Sequence, residues 1–150
     1  MNGNLNPSMA TGVVAVINPV SQGAGTVTTG WIDMQKFGAL LAILAVGALG
    51  ASATVDAKIE QATDAAGAGA KDVAGSAITQ LTKAGTDDNK QVLINLRQED
   101  LDKNNAFRFV RLSVTVGTAA SLVSAIVLAF NARYGAATDN DAATVDEIVS

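Results

Sequence analysis

Leu112 to Ala132, LSVTVGTAASLVSAIVLAFNA, contains no charged residue, and how it is read decides the fold. Its length matches the roughly 20 apolar residues that a bilayer-crossing helix needs, but its pattern is not helical. Leu112, Val114 and Val116 alternate with Ser113, Thr115 and Gly117, and the alternation extends back through Arg111 to Val110. Period two marks a strand with one buried face. Gly117 to Ser121 (GTAAS) is small and turn-tolerant. Beyond it Leu122, Ile126, Leu128 and Phe130 occupy one side and Val123, Ala125, Val127 and Ala129 the other. The stretch therefore predicts two strands around a short loop.

A second neutral stretch, Phe37 to Thr54 (FGALLAILAVGALGASAT), is apolar on both faces as far as Gly47. That suits a central strand or one covered by a neighbour. Gly47, Gly50 and Ser52 lead into Thr54 to Glu60, where Val55, Ala57 and Ile59 alternate with polar residues, and the pair reads as a hairpin. Lys90 to Arg97 sets Val92, Ile94 and Leu96 against Gln91, Asn95 and Arg97. Val13 to Val20 and Thr26 to Met34 are further strands with a turn at Gln22 to Gly25. Ala62 to Gly75 is a Gly/Ala-rich loop, Lys83 to Asn89 a turn cluster, and Ser76 to Thr82 either a short strand or a helical turn. Short strands at this spacing predict an all-β fold, an antiparallel β-sandwich or barrel. The expected organisation is a flexible N-terminal arm over 1–11, one sandwich domain over 12–134 and an acidic, flexible C-terminal arm over 135–150.

Hydrophobic residues make up 49% of the chain and charged ones 16%, against about 25% charged in an average domain. Aromatics are only 4%, so the core must be built from small aliphatic side chains. The net charge is −4 and the basic residues are scattered. Nucleic acid is therefore not an expected ligand, because phosphate binding needs clustered Lys and Arg. Without cysteine or histidine the chain has no disulfides, no thiolate nucleophile and neither the usual general base nor the commonest metal ligand. The N-terminal MNGNLNPSMATG lacks a basic n-region and does not read as a signal peptide.

Candidate chemistry is sparse. Glu99, Asp100 and Asp102 place three carboxylates together, but the neighbours are polar, whereas a working acid needs an apolar pocket to raise its pKa. They read as a solvated turn. Asp139-Asn140-Asp141 lacks the further ligands and the Gly of a calcium loop. Gly67-Ala-Gly69 lacks the Gly-Lys-Ser/Thr of a phosphate cradle. No catalytic, cofactor-binding or metal-binding residue is expected, and the chain is read as a non-enzyme. Four residues are candidates for an interface. Trp31 and Tyr134 each join a large ring to one polar group, and Arg108 and Arg111 flank Phe109 and Val110 as possible ion-pair anchors.

The runs KDVAGSAITQLT (Lys71 to Thr82), KQVLINLRQEDLDK (Lys90 to Lys103), FRFVRLSVTVG (Phe107 to Gly117) and ARYG (Ala132 to Gly135) resemble small virion structural proteins of tailed bacteriophages. The resemblance is one of general pattern and spans most of the chain from about Thr29 onward. It implies a β-sandwich or barrel module without enzyme activity or cofactor that binds the capsid shell or the head–tail junction. The leading expectation is a capsid decoration or cement protein that binds the major capsid protein or other virion proteins, contacts its own copies, and resides in the virion after assembly in the host cytoplasm. The alternatives are a head–tail connector or tail component and, from another class, a small membrane protein with two spans.

Overall fold

The computed structural model describes residues 6–149; residues 1–5 and 150, the outer parts of the two expected arms, lie outside the described residues. Two four-stranded antiparallel sheets face each other. The first runs in the order β1 (Thr11–Gln22), β10 (Ser121–Ala132), β4 (Phe37–Val46), β8 (Gln91–Arg97). The second runs β2 (Gly25–Thr28), β9 (Phe109–Gly117), β5 (Thr54–Ala62), β6 (Lys71–Ala77). Two short strands extend the second sheet, β3 (Ile32–Asp33) on β9 and β7 (Leu81–Thr82) on β5. Of the eight long strands, only β5 and β6 follow each other within one sheet, and every other step crosses between sheets. This is the double-sheet jelly roll.

Both neutral tracts are strands. The two-span membrane reading is thereby corrected: 112–132 divides between β9 and β10, 37–46 is β4, and no described helix is long and apolar enough to cross a membrane. A second correction concerns pairing. β4 and β5 do not form a hairpin, because β4 lies between β10 and β8 while β5 lies between β9 and β6. Three residues between β9 and β10 and seven between β4 and β5 carry the chain from one sheet to the other. These two crossings touch: a Cβ placed on Gly50 would lie 2.5 Å from the Ala120 carbonyl oxygen and 2.7 Å from Ala119 Cβ. The buried Ser121 hydroxyl fixes the crossing by accepting from the Gly50 N–H at 3.2 Å and donating to the Ala119 carbonyl.

The inner faces meet in one core. Leu44, Leu96 and Val127 from the first sheet and Val55, Leu112, Val114 and Val116 from the second are at most 2% exposed. Ala42, Ala57, Ala125 and Ala129 are buried among them, so the scarcity of aromatics is met by small side chains. Phe37 and Met34 supply the bulk at one end. Each fully buried Val, Leu or Phe contributes roughly 1.5–3 kcal/mol of transfer free energy. Buried Gln61 is satisfied, its amide N–H donating to the Asp72 carbonyl and its oxygen accepting from the Asp102 N–H.

Two segments differ from expectation. β6 begins at Lys71, inside the stretch read as loop, and 76–82 is extended, shared between the end of β6 and β7, with no helical turn. Gly75, with φ +77°, allows the β6 bulge in which the Ser76 hydroxyl donates to the Val73 and Ile59 carbonyls. Beyond β10, a 3-10 turn over Ala137–Asn140 sits against β1. Ala137 is 3% exposed, Asp141 accepts from the Val13 N–H at 2.6 Å, and the Ala142 N–H donates to the Val13 carbonyl.

Candidate interaction surface

The outer faces of the two sheets differ sharply in chemistry. On the second sheet, Arg111 stands opposite Glu60, Lys58 opposite Ser113 and Asp56 opposite Thr115. Arg111 Nε donates to Glu60 Oε2 at 2.7 Å, and Lys58 Nζ lies 2.7 Å from Asp72 Oδ1 and 3.6 Å from Glu60 Oε1. Hydrogen bonding to Asp72 raises the Lys58 pKa above its ordinary value, against a smaller opposing cost of burial. This face is a solvated ion-pair lattice, and such exposed pairs contribute little stability each.

The outer face of the first sheet is nearly free of charge. Cross-strand partners share a face, so the register aligns Val16, Ile126, Ile43 and Leu93 in one row across all four strands. The neighbouring row is Val13, Leu128, Leu41 and Asn95. Ile126 is 46% exposed and Leu93 59%. The charged member is Arg97, at the far end of β8. Four strands about 4.8 Å apart, with about ten residues of 3.3 Å rise, give a face of roughly 600 Å². That is at the upper limit of the apolar patch a monomer exposes and close to the roughly 800 Å² each partner contributes to a standard interface.

The residues singled out from sequence lie elsewhere. Trp31 and Arg111 come together: the guanidinium stacks 4.5 Å from the indole centroid while it pairs with Glu60. The loop at Gly67 closes on the same indole, where an added Cβ would meet Trp31 Nε1 at 2.8 Å. Arg108 pairs with Asp33 at 3.2 Å and lies 4.8 Å from the Phe109 ring centroid, its Nε buried without a hydrogen-bond partner. Tyr134, just beyond β10, is 80% exposed and stands apart from the other three. The uncharged face was detectable in the sequence: β4 and β10 are apolar at both parities, and one parity suffices for the core.

The acidic residues serve the scaffold. Asp100 Oδ2 accepts from the Arg97 N–H at 2.8 Å, ending β8, and Glu99 pairs with Arg97 at 3.3 Å. Asp102 accepts from Lys71 and from Asn105, and these bonds hold its carboxyl below the ordinary value of 3.8, with Lys71 the larger cause. Asp88 is lowered likewise by Lys83 first and the Leu49 N–H second. Among the described residues no group of three His, Cys, Asp or Glu could hold a metal ion.

A depressed carboxyl pKa stabilises the fold above the unfolded value and loses that contribution as pH falls through the folded value. Stability should therefore decline as pH falls below 3.8, and the double substitution Asp88→Asn with Asp102→Asn should flatten the decline. Urea midpoints measured across a pH series check this; identical acid slopes in the two proteins would remove these two carboxylates as its cause.

No family model matches the sequence, and no curated protein matches it. Among solved structures, the chain is similar to one from broad bean stain virus, with a TM-score of 0.48, 8% identity and coverage of 92% of this chain and 94% of that one. A chain from an empty virus-like particle of cowpea mosaic virus aligns with a TM-score of 0.43 and 10% identity over 92% of this chain and 88% of that one. A chain from tobacco necrosis virus aligns with a TM-score of 0.40 and 10% identity over 82% and 93%.

Proposed function

We propose that this chain is a non-enzymatic virion structural protein, a capsid decoration or cement protein that seats the outer face of β1, β10, β4 and β8 on the major capsid protein. The observation that carries the reading is that uncharged face, since ionic groups are displaced from it to the opposite sheet and to the strand ends. The sequence resemblance to small phage virion proteins supplies the class of partner. The jelly roll is compatible with it, being a fold used by viral capsid domains as well as by lectins and cupins, and a fold alone does not assign a function.

Placing a charge at the centre of the face tests the proposal. Ile126→Lys should weaken binding to purified shells by about two orders of magnitude or more, because an unpaired ammonium would be buried at the contact. Co-sedimentation of the protein with shells that lack it provides the measurement, and undiminished binding would move the contact to another surface. Shells refilled with wild-type protein should survive heat or low salt better than bare ones. Copy number separates the second virion reading, a head–tail connector or tail component: a closed ring takes about a dozen copies, and decoration takes hundreds.

A further inference from the structure

Sheet edges are the second place where such a fold can bind, and three of the four long edges are blocked. β1 contains Pro19 within a register break, and its Val13 N–H and C=O are taken by Asp141 and Ala142. β2 is four residues long. β6 is bulged at Gly75 and Ser76, with its register against β5 interrupted. Short, bulged, proline-bearing or covered edges are the usual protections against unwanted strand pairing.

β8 has none of these protections. The Val46 N–H donates to the Lys90 carbonyl, which fixes the alternation of the ladder: Lys90, Val92, Ile94 and Leu96 point their backbone groups at β4. Gln91, Leu93 and Asn95 therefore point theirs away from the sheet, and none of the three has a backbone partner among the described residues. The edge stops at Arg97, whose N–H is capped by Asp100. Leu93, at the centre, is more than half exposed. Alongside runs an open groove whose far wall is 75–81.

We propose that this edge pairs with the β8 edge of a second copy of the chain, antiparallel about a two-fold axis at Leu93. The sequence of the edge is self-complementary in that register. Leu93 falls opposite Leu93 of the second copy, and Gln91 opposite Asn95 of the second copy, matching one neutral amide with another. The three outward residues of each strand exchange about six backbone hydrogen bonds. Antiparallel pairing also sends the two Arg97 side chains to opposite ends, about 26 Å apart at 3.3 Å per residue, well beyond the screening length of about 8 Å in physiological salt. Parallel pairing would stack them. The product is an eight-stranded sheet whose uncharged outer face is continuous across the dimer, twice the area available to a partner. The inference goes beyond the virion reading and does not depend on it.

Sedimentation equilibrium of the full chain over a concentration series, with amide hydrogen exchange on the same samples, tests the pairing. Wild type is expected to dimerise, with the Gln91, Leu93 and Asn95 amides becoming protected as concentration rises. Leu93→Lys, which adds an edge charge without altering the backbone, should weaken the dimer at least about tenfold. Ile126→Lys, on the same face but two strands inward, should leave it intact. A monomer at every concentration overturns the proposal, as does a dimer in which these three amides exchange freely. The exchange measurement uses unmodified protein, so a variant that fails to fold does not spoil the test.

Discussion

Phe37→Ala is expected to cost about 3–5 kcal/mol of folding stability, the range for truncating a buried aromatic ring. Phe37 is 2% exposed and among the largest fully buried side chains, in a core otherwise composed largely of Val, Leu and Ala. Its neighbours on a rigid sheet cannot collapse into the space, so the loss includes the cavity as well as the transfer free energy. At about 2–4 °C per kcal/mol for a chain of this size, Tm should fall by roughly 10 °C or more. Calorimetry and urea titration provide the check, with an unchanged m-value expected. A loss under 1 kcal/mol would mean that the ring is not packed as described.

Gly50→Val is expected to destabilise by about 3 kcal/mol or more, through a different mechanism. Here the backbone is not in the left-handed region, and the cost is purely steric. The first carbon of any side chain would stand 2.5 Å from the Ala120 carbonyl oxygen, a backbone atom that cannot swing aside. Relief requires the two inter-sheet crossings to separate, which breaks the hydrogen bonds of Ser121. Gly50→Ala should already show most of the effect, and Gly30→Ala, where an added Cβ meets nothing within 4 Å, provides the comparison. Equal melting temperatures for Gly50→Ala and Gly30→Ala would contradict the crossing.

Local alternation made most strands legible. Leu112 to Ala132 divides where GTAAS indicates it should, and Phe37 to Val46, apolar at both parities, is a central strand. Which sheet each strand joins was not legible. A three-residue link permits either a return or a crossing, and the choice depends on partners far away in sequence: β10 pairs with β1 and β4, never with β9. β6 was missed because its Gly and Ala carry no alternation, and it holds its place through Ser76 and the neighbouring β5. The Trp31–Arg111 stack joins residues from separate strands and leaves no local trace. The uncharged face was present in the sequence as a surplus, since β4 and β10 hold more apolar positions than one buried face requires.

The pairing of β1 with β10 has a consequence for biosynthesis. The earliest strand to leave the ribosome finds its one ladder partner among the latest residues to emerge, so its apolar side chains wait uncovered through nearly the whole of translation. Topologies dominated by such distant pairings fold slowly and expose sticky intermediates. Truncated nascent chains ending before β10 should be retained by chaperones, and release should follow only once residues 121–132 are free to dock.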